Sequence, residues 1–444
     1  MLRRNRIALW VVLIAVAGLI YWLAISTYPW HDLAQASKPA LARTAAKQAE
    51  SIAPNIAILP FRVPARAAVA DIVNKPPWKS EVAAVDDGSA CGLDKYKITP
   101  EAAKFPPEIV ASARQSLDQV IAQLQTSTIE RERALGLYVQ SMQRGQAAFD
   151  QQLSSQRDCY GDVLCNAKAR AAREQASLPQ AEALARLAAT AVDPASYAAA
   201  FYRCIGLSSR ACTPVTAANW AAMDPSNAVP WLHVANAAAA RNDPTGRDEA
   251  LRRASALPVY DTRLPPVFQL MQADSVLAQS APRRLAISLE LINYYSTGKN
   301  LSPYDQLIRF CAPPADAIPG RVDTCSQLAD KILQQDGEIN GRLIGTALAK
   351  HAHWSADKIT ALNDEHDAML QVIRQGEYFP TSGMNCSGYE KFNLLLSETA
   401  RVGMVAMLQQ RIGESGKTIA VLAEERRDAV KKQREEYEKT NARK

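Results

Sequence analysis

The sequence predicts an all-α protein, with one N-terminal transmembrane helix followed by an antiparallel array of helical hairpins. Three observations carry this reading. Apolar residues recur at three and four beyond Pro107, no segment there sustains the alternation of strands, and residues 7–25 read IALWVVLIAVAGLIYWLAI without a charge or proline. The chain is also rich in Ala and Leu, with few glycines and aromatic residues, which suits helices that approach through small side chains.

As a helix the apolar run is about 28 Å long, close to the hydrocarbon thickness of a bilayer. Arg3, Arg4 and Arg6 form a cytoplasmic n-region over residues 1–6, and no Lys or Arg follows the run before Lys38. The positive-inside rule then exports the remainder. Trp10, Tyr21, Trp22, Tyr28 and Trp30 suit the two interfaces, and Pro29 stops the helix. The expected location is a bacterial inner membrane, single-pass, with the C-terminal domain in the periplasm. A cleaved signal ending at Ala34-Gln35-Ala36 is the alternative, but the run exceeds the roughly 7–15 residues of a signal h-region. A signal-anchor is favoured on that ground. Residues 26–105 read as a linker or extended arm, because prolines at 54, 60, 64, 76, 77 and 100 prevent long helices.

A helical-repeat domain is expected over 106–413. Ile109, Val110, Ala113, Leu117, Val120, Ile121 and Leu124 form its first stripe. Ser127 with Glu130 reads as a capping box opening a second helix that Gly145 ends. The same period returns with Leu285, Leu289 and Ile292 ending at Gly298, with Ile359, Leu362, Met369 and Ile373 ending at Gly376, and from Tyr389 through Phe392, Leu396 and Val402 to Ala406. Residues 414–444 read as a charged helix with an apolar stripe at Ile419, Leu422 and Val430.

Met223 to Leu257 has an Asp224-Pro225-Ser226-Asn227 turn, then Trp231, Val234, Ala235 and Ala238, then Asp248-Glu249-Ala250. This stretch resembles a tetratricopeptide repeat, and Asp193-Pro194, 31 residues before Asp224-Pro225, marks a fainter copy, so the likeness spans about residues 190–257. The resemblance implies an α-solenoid that offers a surface to a protein or peptide, with Trp231, Ala235, Ala238 and Ala250 as the packing positions. The loop from Asp243 to Arg247 is longer than the family pattern, and Leu257-Pro258 does not restart a repeat.

The formal charge of +6 does not mark a nucleic-acid binder. Three charges belong to the N-terminal arginines and three to residues 417–444, which leaves residues 7–416 neutral. All eight cysteines follow the apolar run, an even number that reads as disulfides in an oxidising compartment. Cys311 with Cys325 would tie a Pro- and Gly-punctuated loop, and Cys204 with Cys212 a short connection between helices. Cys159 and Cys165 could pair with each other or with Cys91 and Cys386. There is no CxxC and no cysteine–histidine spacing for zinc, so neither a metal nor a cofactor is expected.

Four patterns suggest chemistry. Arg411 to Thr418 ends in Gly-Lys-Thr like a phosphate-binding loop, but Arg411 stands where that loop needs glycine. Glu414-Ser415-Gly416 resembles the glutamate–serine pair of lytic transglycosylases, which implies an exported cell-wall hydrolase with Glu414 as its acid. Ser296–Lys299 and Ser355–Lys358 have the spacing of a Ser-x-x-Lys nucleophile, against which Gly298 reads as a helix end and Ser355 as a cap. His351, His353 and His366 with Glu365 and Asp367 could be drawn as a metal cluster, yet residues two apart on a helix diverge. The expectation is therefore a non-enzymatic, membrane-anchored scaffold binding an envelope protein or peptide, with the Glu414 hydrolase as the alternative.

Overall fold

The computed structural model describes residues 91–93, 98–99, 102–103, 105–155, 163–264, 266–298, 303–312, 318–375 and 386–441, and these are almost wholly helical. The exceptions among them are a two-residue antiparallel pairing of β1 (Ile98–Thr99) with β2 (Ala102–Ala103) and one parallel bridge between Asn227 and Val259.

α1 (Pro107–Thr126) starts with proline at its first turn, where a missing N–H costs nothing, and buries Ala113, Leu117, Val120 and Ile121. A three-residue turn returns the chain as α2 (Glu130–Ser155), and α3 (Val163–Ala188) packs along α2. Ser127 caps by accepting the Ile129 N–H, but Glu132 rather than Glu130 meets its hydroxyl, and Glu130 reaches the Val192 N–H. Gly145 does not end α2. A Cβ there would lie 3.0 Å from Arg173 Cγ and 3.2 Å from the Arg173 carbonyl oxygen, so this glycine lets α2 and α3 touch.

The next helices are α4 (Pro194–Cys204), α5 (Ala217–Met223), α6 (Ala228–Ala240) and α7 (Pro244–Ala256), capped by the side chains of Asp193, Thr216, Asn227 and Asp243. Asp243 accepts the Gly246 N–H at 2.8 Å, so α7 opens at Pro244 and the expected long loop shrinks to residues 241–243. α6 and α7 form a hairpin. The Asp224–Asn227 turn is tied down from outside the hairpin. Asn227, fully buried, donates to Asp224 and to the Asp261 carbonyl and accepts the N–H groups of Val229 and Asp261, which uses its whole amide. Arg263 adds a bond to Asp224 at 3.1 Å.

Beyond α7 the chain runs extended past the start of α6, then forms a 3₁₀ helix (Val267–Gln272), α8 (Asp274–Leu277) and α9 (Ala281–Gly298). α9 packs back on α1 and α2. α10 (Tyr304–Cys311) and α11 (Arg321–Gln335) then pack on α6 and α7, as a neighbouring pair would. α12 (Ile339–His351) pairs with α11 and adjoins α13 (Ala356–Gln375). α14 (Cys386–Val402) returns to the 3₁₀ helix, and Gly403, at φ 85°, separates it from α15 (Met404–Glu414), so the stretch expected to run unbroken to Ala406 is two helices. α16 (Ile419–Asn441) lies on α13. Paired helices packed on paired helices make a generic helical-repeat arrangement.

The core centres on α4 to α6. Trp220 is fully buried, with ring centroids of Phe201, Tyr202 and His233 at 5.4, 5.6 and 5.8 Å. α13, α15 and α16 share a smaller core of Met369, Leu370, Leu408, Ile412 and Leu422, edged by Arg427 with Asp364 and Asp367 and by Glu425 with Gln371 and Gln375.

The expected fold class needs correcting at its first element. Ile7–Ile25 lies outside the described residues, and among the described residues no helix is long and apolar enough to cross a membrane. The longest, α2 and α3, carry Arg and Glu along their lengths. The transmembrane helix, the signal-anchor, the membrane as partner and the periplasmic location are set aside with it. The cysteines then rest on distance alone. Cα atoms of Cys204 and Cys212 are 5.2 Å apart, those of Cys311 and Cys325 5.8 Å and those of Cys91 and Cys386 5.6 Å, spans a disulfide can bridge. Cys165 is buried, and Cys159 lies outside the described residues.

Candidate functional site

An open depression of about 400 Å³ lies between α11 and the turn from α12 to α13, lined by Ser326, Gln327, Asp330, Trp354, Ser355 and Lys358. Its walls follow from local rules. α11 buries Cys325, Leu328, Ala329 and Ile332, which leaves Ser326, Gln327 and Asp330 on its outer side. Just past the end of α12 His353 stands at φ 58°, a left-handed position more often given to glycine, and the Trp354 N–H returns to the Ala349 carbonyl at 3.1 Å. That reversal lays Trp354 on α11, where its indole N–H donates to Ser326 Oγ at 2.8 Å. Ser355 caps α13 by accepting the Lys358 N–H, and one turn on the Lys358 ammonium stands 3.4 Å from the Trp354 ring centroid.

The depression therefore offers an aromatic face under a cation, a carboxylate and two hydroxyls. Such a mixture suits polar peptide or side-chain contacts. It does not suit acyl transfer, because Lys358 faces the indole while Ser355 serves the helix backbone.

The residues singled out by sequence fall elsewhere. Glu414 is about half exposed at the end of α15, bonded to Gln410 and Arg411, and not enclosed as the acid of a hydrolase is. The hydrolase alternative is corrected on that ground. Lys417 pairs with Glu425 at 2.6 Å and Thr418 accepts the Val421 N–H, so the Gly-Lys-Thr run is a turn into α16. Among the described residues no group of three His, Cys, Asp or Glu could hold a metal. Glu365 pairs with buried Arg342, while His366 is buried and pushed down to about 4 by burial and by the nearby Arg342 and Arg426. Lys299 lies outside the described residues.

Ala235, Ala238 and Ala250 are buried in the α6–α7 hairpin. Trp231 is only half buried at the edge of the core, with the Arg253 guanidinium 4.9 Å from its ring centroid. The buried tryptophan is Trp220, which sequence reasoning passed over. Asp193 caps a helix directly, whereas the later turn caps through Asn227, so the two Asp-Pro pairs do different work. Trp354 was also missed. Its signal was an aromatic residue four positions before a lysine at a helix start.

Compared with known proteins, the chain matches no family model, no curated protein and no solved structure.

Proposed function

We propose that this protein is a protein–protein interaction module built on helix pairs, with 106–413 as its binding body and α6–α7 as a tetratricopeptide-like unit. What supports the reading most is Trp354, a partly exposed indole held by Ser326 and Lys358 in an open depression beside α11 and the turn from α12 to α13. Tryptophan in such a place is what interface hot spots are made of, since its large ring presents area at low entropic cost. Trp231 under Arg253 repeats the arrangement on α6 and α7.

The test places a photo-crosslinking residue at Gln327 in the full chain, in the cells that make it. A discrete adduct that disappears in Trp354→Ala is expected. Adducts that persist unchanged in that variant, or none at all, would refute the reading.

A further inference from the structure

Along α2, Tyr138, Ser141, Met142, Gly145, Gln146, Phe149 and Asp150 recur at helical spacing and form one stripe towards α3 and α4. Two arginines lie on this stripe. Arg203, in the last turn of α4, donates from Nε to Ser141 Oγ at 2.9 Å and from Nη1 to Met142 Sδ at 2.9 Å, and its guanidinium is 5.9 Å from the Tyr138 ring centroid. Arg173 of α3 crosses α2 at Gly145, donates to Gln146 Oε1 at 2.8 Å and stacks 4.0 Å from the Phe149 ring centroid, while its Nε is buried without a partner.

Neither arginine forms an ion pair with any described residue. Elsewhere in the same body Arg342 finds Glu365, Arg321 finds Asp248, Arg263 finds Asp224 and Arg411 finds Glu398. Asp150 lies in the field of Arg173 but is bonded to Gln146 and itself held up by burial. Burial lowers the proton affinity of both guanidinium groups; on Arg173 the Asp150 charge partly offsets this, and Arg203 adds a smaller lowering by like-charge repulsion. The C-terminus of α4 offers Arg203 about half a negative charge, less than a carboxylate would. A guanidinium largely withdrawn from water without a carboxylate beside it is costly, and Arg203 is one, whereas Arg173 has Asp150 in its field without an ion pair.

We propose that the seam between α2, α3 and α4 is an oxyanion-binding site in which Arg203 and Arg173 together take a phosphate or a carboxylate group. The donors left for it are Arg203 Nη2 and Arg173 Nη1, neither of which makes a hydrogen bond to a described residue. Guanidinium groups suit both oxyanions through paired N–H donors. The site is separate from the Trp354 depression and does not depend on it.

Thermal unfolding of the full chain is compared in sodium phosphate, sodium acetate and sodium chloride at matched ionic strength. Expected is a midpoint that rises with phosphate or with acetate beyond the chloride control. Phosphate also stabilises folded proteins without binding, so the site is read from the part of the response lost in the arginine variants: a larger loss in phosphate identifies a phosphoryl ligand, and a larger loss in acetate a carboxylate such as a partner's side chain. Arg203→Met should weaken the apparent affinity by about tenfold or more, as expected for a charged hydrogen-bonding partner, and Arg173→Met should do the same if the first variant does not fold. Equal midpoints in all three salts for the unaltered protein, or an anion response retained in a folded variant, would overturn the site.

Discussion

Acid should destabilise this protein through His233, and the size of the effect follows from where the imidazole sits. His233 is buried among Phe201, Tyr202 and Trp220, neither ring nitrogen has a partner, and burial pushes its pKa down to about 3. In the unfolded chain the group titrates near 6.5. Above that pH both states are neutral and the group is silent. As pH falls below it the unfolded state takes up a proton that the folded state refuses, so stability is lost progressively between about 6.5 and about 3. By pH 5 the loss from this one residue is about 2 kcal/mol, a figure that hardly moves if the folded value is one unit higher, because the folded imidazole stays neutral at that pH. His366, pushed down to about 4, acts in the same direction. Glu338 acts in the opposite one, since burial raises it to about 7 and protonation between about 7 and 4.5 then favours the folded state. The wild-type pH profile alone is therefore not diagnostic. The test is the difference between wild type and His233→Leu in urea unfolding at pH 7.5 and at pH 5. Near neutrality the variant should be at least as stable as wild type, because it removes two unpaired buried nitrogens. Its advantage should grow by about 2 kcal/mol at pH 5. A difference that does not change with pH, or a folded-state imidazole signal titrating near 6.5, would refute the reasoning.

Other outcomes follow from particular contacts. Gly145→Leu should destabilise by about 1–3 kcal/mol or more, because its side chain meets Arg173 and the α3 backbone; denaturant melts would show it. Asp243→Ala should cost about 1 kcal/mol by leaving the Gly246 N–H uncapped, whereas Asp243→Asn should be nearly silent in the same assay. Lys358→Ala should cost no more than about 1 kcal/mol in stability while raising the accessibility of Trp354 to a collisional fluorescence quencher. Peptide mapping of oxidised protein without reductant should find Cys91 with Cys386, Cys204 with Cys212 and Cys311 with Cys325, the pairs the distances allow.

Sequence alone determined what local physics controls. The all-α class followed from apolar spacing, the opening of α1 from Pro107, and buried alanines in the α6–α7 hairpin from small residues at helical intervals. These need only the chain within a few residues of the position concerned. Tertiary structure decided wherever the neighbour is remote. Gly145 and Gly403 are the same residue, yet one is crossed by Arg173 and continues its helix while the other sits at positive φ and separates two helices. Trp220 and Trp231 lie eleven positions apart in similar Ala-rich text, and only the packing of Phe201, Tyr202 and His233 puts one at the centre and the other at the edge. The Trp354 depression needs α11 to meet the end of α12, and the arginine seam needs α3 and α4 to converge on α2. A site of that kind is a sum over side chains tens of residues apart, brought together by burial of apolar surface, which has no direction along the sequence.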